Sequence, residues 1–256
     1  MNEDQLQYRI EEKIAYITIN REEKRNALSP ETLLLFLKHL DAAENDAAVN
    51  VVCITGTGTR AFCTGAELGD DVAGKSQEAF KNYAGLLKKI TDFPKPTVAR
   101  VNGFCLAGGM GLMLGCDLVI ASDTAKFGTP EVSVGLFPMM IGALIFRNMP
   151  RKNAMEMILL GERMDAALAL ESGLISRMVP ASELDAETRK VLHALAAKSP
   201  AGMKIGKQAF TAVADMPLEE SLDYLAGKLQ EVASTEDAKE GIRAFMEKRQ
   251  PVFTGK

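Results

Sequence analysis

One stretch of this chain, Val101 to Ser122, reads VNGFCLAGGMGLMLGCDLVIAS, and the rest of the sequence is interpreted outward from it. It begins where an apolar strand ends, passes an Asn-Gly turn, and reaches the Ala-Gly-Gly turn at residues 107–109 just before an apolar run of helical length. Glycine lets a ligand approach the backbone because it has no Cβ. Free N–H groups at a helix start favour negative charge, so the stretch predicts a site for a phosphate or for an oxygen that becomes anionic during a reaction.

Composition limits the classes of protein to consider. The 256 residues carry a formal net charge of −4 and four cysteines, which lie in apolar segments without CxxC spacing. The charge argues against a nucleic-acid partner, and the cysteines suggest neither a disulfide framework nor a metal site. The first 13 residues lack the apolar core of a signal peptide, and no apolar run is long enough to span a bilayer. We therefore predict a cytoplasmic protein without a membrane partner.

Hydrophobic patterns predict an α/β protein. We expect a hairpin over 7–20, a helix from the Ser29 cap to about residue 46, and buried strands over 50–55, 97–101 and 116–121. Residues 56–68 are predicted as a glycine-bearing turn, and 69–77 as a mobile loop before a helix that ends near 90. A short strand is predicted over 125–128, two short helices on either side of Gly161, a last strand over 173–179 and a helix over 181–197. The organisation is thus an α/β core, 1–195, and a helical region, 196–256, which serves subunit contacts or packs on its own core.

Several motifs, in their order and spacing, resemble the crotonase (enoyl-CoA hydratase/isomerase) superfamily over nearly the whole chain. They are N-x5-N-A-L at 20–28, AFCTGAEL at 61–68, P-x2-A-x-V-N-G at 96–103, the AGG turn, CDLVIAS at 116–122, GTPE at 128–131 and F-x-E-K-R at 245–249. The resemblance implies a crotonase-type spiral of repeated ββα units. It also implies that the C-terminal helical region, 196–256, builds homotrimers, which often pair into hexamers.

The resemblance implies coenzyme A thioesters as substrates, with coenzyme A entering as part of the substrate and no permanently bound cofactor or metal. By motif position, the backbone N–H groups of Ala66 and Gly108 hold the thioester oxygen. This agrees with the chemistry of the glycine turn, because removal of a proton α to a thioester makes an enolate that two aimed donors stabilise. One such donor is worth about 3–4 kcal/mol of barrier.

The resemblance also implies a set of binding residues. Lys24, Arg25 and Ala27 align with the stretch that meets the coenzyme A nucleotide, whereas Phe245 and Lys248 align with tail residues that reach a neighbouring subunit's ligand. Exposed basic side chains commonly do no more than solvate a surface, so a surface role stays open for these residues. The remaining positions expected to contact substrate are Ala61, Cys63, Gly65, Leu68, Gly109, Gly111, Pro130 and Met139.

The two glutamates of family hydratases decide which reaction is expected. One belongs at the position of Gly111, and the other is present as Glu131. Hydration divides its proton transfers between two carboxylates, but a shift of a double bond from the 3 to the 2 position needs one base. The acid that marks dienoyl-CoA isomerases is replaced by Met139. The sequence therefore favours an enoyl-CoA isomerase with Glu131 as its base, in an apolar segment that is expected to raise its pKa.

Other interpretations remain open at this point. A hydratase with one glutamate, another enolate chemistry and an acyl-CoA-binding subunit with little catalysis are all compatible with Gly111. A dinucleotide site is rejected because the GxGxxG spacing is not met, and there is no GxSxG nucleophile motif. Cys63 is better interpreted as a small buried residue than as a nucleophile. We expect Glu67 to organise its loop, Asp70 and Asp71 to be solvated, and Asp117 to be a structural hydrogen-bonding acid.

Overall fold

The computed structural model describes residues 3–67 and 77–256. Leu68, a predicted binding residue, lies outside these residues, and so do Asp70 and Asp71 and most of the predicted loop that follows Leu68. Within the part that is described, two sheets form the α/β core that the sequence predicts. The larger sheet has the strand order β1-β2-β3-β5-β7-β10, and the smaller has the order β4-β6-β8-β9.

The strands of the larger sheet are parallel apart from the β1–β2 hairpin. Every residue of its third strand is buried, as expected for a parallel strand that is covered on both faces. The bounds are β1 Leu6–Glu11, β2 Ile14–Ile19, β3 Val51–Gly56, β5 Thr97–Val101, β7 Leu118–Ser122 and β10 Arg177–Val179.

The smaller sheet is built from very short strands. β4, β6 and β8 are parallel neighbours, and β9 closes the sheet antiparallel to β8. Its strands are β4 Ala61–Cys63, β6 Phe104–Leu106, β8 Lys126–Gly128 and β9 Met164–Asp165. The expectation of a plain turn over residues 56–68 is therefore wrong, and the strand β6 was not expected. Segments of three residues are too short to show an alternating pattern, and their pairing partners are distant in the sequence.

The two sheets arise from a repeated ββα unit. The first strand of each unit (β3, β5, β7) joins the larger sheet, the second strand (β4, β6, β8) joins the smaller one, and a helix follows. Successive units therefore lie side by side in both sheets, which is the spiral arrangement that the resemblance implies. The helices that follow these pairs are α2 Gln77–Thr91, α3 Gly108–Leu114 and α4 Met139–Asn148, the last of them after a 3-10 turn over Pro130–Val134.

The other helices also agree with the sequence patterns in outline. Ser29 caps the first of them by accepting a hydrogen bond from the Thr32 N–H (3.2 Å), and Pro30 stands at its first position. The predicted strand over 173–179 is limited to β10. No described helix is long and apolar enough to cross a membrane. The bounds are α1 Pro30–Asn45, α5 Arg151–Leu160, α6 Ala166–Glu171, α7 Leu184–Ala196, α8 Pro200–Val213, α9 Leu218–Ser234 and α10 Glu236–Met246.

A buried acid holds the C-terminal helices together. Asp237, only 1% exposed, accepts hydrogen bonds from the Ser199 hydroxyl (2.7 Å), the Thr254 N–H (2.7 Å) and the Gly255 N–H (3.1 Å). Burial alone would raise the pKa of Asp237, but these hydrogen bonds outweigh it and lower the pKa. One carboxylate therefore joins the start of α8, the start of α10 and the chain terminus. The division between core and C-terminal region at residue 195 stays a prediction.

We predict that Asp237→Ala destabilises the protein by about 2–3 kcal/mol, because it leaves buried donors without partners. The folded-state pKa of Asp237 is below its unfolded value, so its contribution is present above the unfolded pKa and is lost as the pH falls through the folded value. Thermal unfolding at pH 7 and at pH 3 measures both effects. The gap between the wild type and Asp237→Ala should narrow at pH 3, and an equal gap at both values would contradict the assignment.

Candidate active site

The predicted site residues meet where three parallel strands of the smaller sheet end. Cys63 of β4 is in register with Cys105 of β6, and Leu106 of β6 is in register with Gly128 of β8. The segments that leave these strands therefore emerge at one edge of the sheet. They carry Ala66 after β4, Gly108 after β6 and Glu131 after β8.

The Ala66 segment contacts the start of α3. A Cβ added to Gly65 would lie 2.8 Å from both Gly108 N and Ala107 Cβ, so only glycine, here with φ +91°, permits this approach. Leu28 N–H donates to Gly65 O (2.7 Å), and Glu67 N–H donates to Leu28 O (2.9 Å). This bridge uses groups on either side of Ala66. Among the described residues, neither the Ala66 N–H nor the Gly108 N–H donates to another group, so both can donate to a ligand.

The backbone before Gly108 is held in an unusual conformation. Ala107 has φ 49° and ψ −129°, a region that non-glycine residues rarely occupy. Its N–H donates to Gly128 O (3.0 Å), which fixes the strained residue against β8. Such strain persists only where the surrounding structure imposes it, and it is concentrated at functional sites. Here the strained conformation of Ala107 turns the chain from β6 into α3, whose first N–H belongs to Gly108.

Two motif asparagines hold the turn between β3 and β4. The Asn26 amide donates to Ala61 O (2.7 Å) and to Thr57 O (3.1 Å), and the Asn102 amide donates to Gly58 O (2.7 Å) and to Gly56 O (3.1 Å). Both asparagines are buried. The carbonyls of the turn have no strand partner, and these side-chain amides supply the hydrogen bonds that they need. The amides thereby fix the path of the turn and the direction in which β4 begins.

Glu131 is a half-buried acid in the 3-10 turn that follows β8. Its Oε2 atom is buried and accepts no hydrogen bond from any described residue. Burial raises the pKa of Glu131, and only a backbone hydrogen bond opposes the shift. The raised pKa agrees with the sequence expectation, and an Oε2 atom that accepts no hydrogen bond is suited to take up a proton.

The apolar neighbours expected around Glu131 do not enclose it in the way the sequence suggested. Val134, Leu136, Phe137 and Met139 are all exposed, with Met139 at 74%. Met110 and Met113 of α3, by contrast, are buried in the hydrophobic core.

Gly109 and Gly111 of α3 are positions of close approach. A Cβ on Gly109 would lie 2.1 Å from Cys63 O, which is backbone, so the helix packs directly on β4. A Cβ on Gly111 would lie 2.3 Å from the Tyr83 hydroxyl oxygen and 2.7 Å from Ile141 Cγ2. The position where the resemblance would place a second glutamate is therefore filled by side chains from α2 and α4.

A cavity of about 380 Å³ leads to the Ala66 segment. Four residues that were predicted to bind substrate line the cavity, namely Lys24, Arg25, Ala27 and Ala66. The rest of the lining consists of Glu23, Thr64, Glu67 and Leu106. Lys24 and Arg25 are the cationic side chains of this wall and can bind phosphate, while the carboxylates of Glu23 and Glu67 balance their charge.

Glu67 organises this wall, as the sequence predicts. Its carboxylate is 2.9 Å from the Arg21 guanidinium and 3.6 Å from the Lys24 ammonium. The hydrogen bond from Arg21 is the main reason why the pKa of Glu67 is lowered. Arg21 is buried and also donates to Ala27 O, so it connects the two sides of the cavity.

The other predicted residues have varied surroundings. Cys63 and Ala61 are buried in β4, and burial raises the pKa of the Cys63 thiol to about 12, which agrees with a packing role. Asp117 accepts from the Thr97 N–H (2.7 Å) and pairs with Lys207, so it is the structural acid that was expected. Pro130 begins the Glu131 turn. Phe245 is 85% exposed at the end of α10, and Lys248 follows it; neither lines the cavity.

Sequence reasoning missed Tyr83, Thr64, Leu106 and Arg21. Thr64 directly follows β4 and Leu106 ends β6, so their place at the sheet edge follows once those short strands are known. Tyr83 is an aromatic residue on an amphipathic helix, where the usual expectation is a plain packing role. Its hydroxyl donates to Gly108 O (2.6 Å), a contact that no local pattern reveals.

Comparisons with known proteins agree with this geometry. A sequence profile described as enoyl-CoA hydratase/isomerase matches residues 9–256. The 2,3-dehydroadipyl-CoA hydratase of Escherichia coli is 34% identical over 250 residues, which are 96% of this chain and 97% of the relative. The (E)-benzylidenesuccinyl-CoA hydratase of Thauera aromatica is 35% identical over 249 residues, 94% of this chain and 96% of the relative.

Solved structures show the same fold. The crystal structure of an enoyl-CoA hydratase/isomerase from Mycobacterium paratuberculosis has a TM-score of 0.90 and 34% identity, covering 99% of each chain. That of an enoyl-CoA hydratase from Bacillus anthracis has a TM-score of 0.93 and 29% identity, covering 98% of this chain and 100% of the other. With the motifs, the two sheets and the paired glycine turns, these matches lead to one conclusion: the chain belongs to the enoyl-CoA hydratase/isomerase family of the crotonase superfamily.

Proposed function

We propose that this protein is an enoyl-CoA isomerase that moves a double bond from the 3 to the 2 position of an acyl-CoA thioester. The observation that carries the proposal is the buried Oε2 of Glu131, an acceptor without a partner among the described residues, at the sheet edge that also holds the Ala66 and Gly108 N–H groups. A base and two oxyanion donors are the groups that enolate chemistry requires.

The proposed reaction uses Glu131 twice. Its carboxylate removes a proton from C2 of the 3-enoyl thioester, and the electron pair moves onto the thioester oxygen to give a dienolate. The N–H groups of Ala66 and Gly108 stabilise this oxygen anion. The carboxylic acid of Glu131 then returns the proton at C4 while the dienolate collapses, which gives the conjugated 2-enoyl thioester and regenerates the base.

The absence of a carboxylate at Gly111 favours one-base chemistry. Hydration needs activation of a water molecule as well as management of the α proton, and two carboxylates commonly divide these tasks. Tyr83 and Ile141 take up the space at Gly111, and the pKa of the Tyr83 phenol is raised by burial, so it is no substitute base. Among the described residues at this sheet edge, Glu131 is the carboxylic acid whose pKa is raised.

Hydration of a 2-enoyl thioester is the second candidate. The relatives compared above are named hydratases, with 34% and 35% identity over nearly the whole chain. In that reaction Glu131 alone would activate the water molecule and return its proton to C2. A third possibility, an acyl-CoA-binding subunit with little catalysis, predicts binding without turnover.

Binding of the coenzyme A part is assigned to the cavity beside Ala66. Lys24 and Arg25 offer positive charge to the phosphates of the nucleotide, and Ala27 leaves room for the substrate arm beneath them. Coenzyme A thus enters and leaves with the acyl group, and no separate cofactor takes part in the proposed steps.

A homotrimer, or a hexamer of two trimers, is the proposed assembly. The C-terminal helices expose large apolar side chains in a single chain, and burial of such surface in a subunit interface is favourable. These side chains are Phe210, Leu218, Leu222, Leu229, Ile242 and Phe245. Light scattering on protein separated by size-exclusion chromatography gives the mass of the assembly directly. The mass of a monomer would contradict this proposal.

The test of function is a pair of absorbance assays on purified protein. The substrates are 3-hexenoyl-CoA and, separately, 2-hexenoyl-CoA, and the signal is the absorbance of the conjugated enoyl thioester. We expect the absorbance to increase with 3-hexenoyl-CoA and to stay constant with 2-hexenoyl-CoA. The Glu131→Gln variant should abolish the increase with 3-hexenoyl-CoA. Disappearance of absorbance from 2-hexenoyl-CoA would establish the hydratase instead, and no change with either substrate would favour the binding subunit.

Glu183→Gln is the matched control for this test. Glu183 is also an acid in a 3-10 turn, but it is exposed and lies after β10, away from the sheet edge. This variant should keep the wild-type rate, so a loss of activity confined to Glu131→Gln identifies the base.

A further inference from the structure

Tyr83 of α2 contacts the start of α3. Its hydroxyl donates to Gly108 O (2.6 Å), and a Cβ on Gly108 would lie 3.3 Å from the same hydroxyl oxygen. The Gly65 Cα also lies 3.3 Å from that Cβ position. Gly108 therefore packs against both the Tyr83 phenol and the backbone of the segment that carries Ala66.

The helix that carries Gly108 needs such a restraint. α3 has only seven residues, and three of them are glycine at 108, 109 and 111. Glycine has more backbone freedom than other residues, so a short helix with this composition is poorly fixed by its own sequence. Packing on β4 fixes Gly109, and the hydrogen bond from the Tyr83 hydroxyl to Gly108 O fixes the residue before it.

The protonation state of Tyr83 suits a donor with a fixed role. Burial raises the pKa of the phenol well above its usual range, and nearby Cys63 and Glu131 raise it further. The hydroxyl therefore keeps its proton, and that proton is committed to Gly108 O. Tyr83 takes no part in proton transfer to substrate, so its contribution to the reaction acts through the backbone that it holds.

We propose that Tyr83 is a positioning residue of the oxyanion hole, which holds Gly108 by the hydrogen bond to its carbonyl and occupies the space of the side chain missing at Gly111. A donor helps the transition state only when it is directed at the oxygen before the reaction begins. Tyr83 thus has two effects. It directs the Gly108 N–H, and its hydroxyl occupies the space that the side chain of a glutamate at position 111 would need. This inference rests on the proposed function only in assuming a bound acyl-CoA thioester.

The test compares wild type with Tyr83→Phe, which keeps the ring and removes the hydroxyl. The probe is 4-dimethylaminocinnamoyl-CoA, whose absorbance moves to longer wavelength when hydrogen bonds polarise its thioester carbonyl. We expect Tyr83→Phe to bind the probe within about twofold of wild type, to show a smaller red shift, and to lose about tenfold in kcat with KM nearly unchanged, because a donor is misdirected rather than removed.

A second measurement requires no ligand. Amide hydrogen exchange of the peptide that contains residues 104–114 should be faster in Tyr83→Phe, because α3 loses its restraint. Tyr224→Phe is the control: it removes the same atom from a tyrosine of α9 and should leave both readouts unchanged. A wild-type protein that does not bind the probe would contradict the proposed function, while the exchange rates would still decide the role of Tyr83.

Two results would overturn the inference about Tyr83. The first is a full red shift with unchanged exchange in Tyr83→Phe, which would mean that the hydroxyl only fills space. The second is a parallel loss of probe affinity and thermal stability without a change in the red shift of the bound fraction, which would indicate a purely structural role.

Discussion

Replacing Glu131 with glutamine is expected to lower kcat by about 10²- to 10⁴-fold, the usual contribution of a positioned general base. Glutamine keeps the shape of the side chain and the space that it fills, but its amide oxygen cannot hold the transferred proton. KM should change little, because the cavity that is assigned to coenzyme A lies beside Ala66 and does not include Glu131. Steady-state kinetics with 3-hexenoyl-CoA give both parameters.

The pH dependence of the wild-type enzyme provides an independent check on the same carboxylate. Burial raises the pKa of Glu131, and the base acts in its ionised form. The rate should therefore fall on the acid side with a midpoint above the usual glutamate value of about 4.3. An acid limb at or below the ordinary value would show that another group controls the rate.

Glu131→Gln should also raise the thermal stability. The folded-state pKa of Glu131 is above its unfolded value, so its protonated form is favoured by folding, and this contribution is lost as the pH rises through the folded pKa. Where Glu131 is ionised, the wild type holds a half-buried charge whose Oε2 accepts no hydrogen bond from a described residue, which costs on the order of 1 kcal/mol. A variant without that charge should melt about 2–4 °C higher.

Glu183→Gln again serves as the comparison, since an exposed acid should give no such gain. The stabilisation by Glu131→Gln should also shrink at a pH below the acid limb, where wild-type Glu131 is already protonated. A variant that loses activity and stability together would indicate that Glu131 is a structural residue, and the proposed mechanism would then lack its base.

The sequence predicts the residues of this site better than it predicts the contacts that hold them. Glu131 is identifiable because a glycine, a threonine and a proline precede it in a motif, and the glycine turns at Gly65 and Gly108 are visible as breaks between apolar runs. What brings the three together is the register of β4, β6 and β8. Strands of three residues leave no periodic signal, so the sequence predicts β8 but neither β4 nor β6, and it does not reveal the pairing of the three.

Tyr83 illustrates a second limit. Its neighbours along the chain form an amphipathic helix, and nothing in that pattern separates an aromatic residue that packs from one that holds a backbone carbonyl. The absence of a side chain at Gly111 is evident in the sequence, but the residue that fills the space comes from another helix. Met139 shows the reverse case, since its apolar character predicted a pocket lining and the side chain is largely exposed.

The second large effect is expected at Gly109, where the substitution Gly109→Ala should reduce kcat/KM by at least about 10²-fold, since small misplacements of catalytic groups have effects of this size. The new Cβ would lie 2.1 Å from Cys63 O and 2.8 Å from Cys63 C, both backbone atoms of a buried strand. Neither can rotate away, so α3 must move as a unit, and the Gly108 N–H moves with it. Overpacking of this kind also costs about 1–3 kcal/mol of stability.

Gly85→Ala is the control that separates this displacement from a general effect of adding a methyl group. Gly85 is also helical, in α2, but its Cβ would meet no atom within 4 Å. There alanine should stabilise the helix by up to about 1 kcal/mol and leave kcat/KM unchanged. If Gly109→Ala were as active and as stable as Gly85→Ala, α3 would not be fixed against β4. The direction of the Gly108 N–H would then depend on Tyr83 alone, and the Tyr83→Phe variant would lose correspondingly more activity.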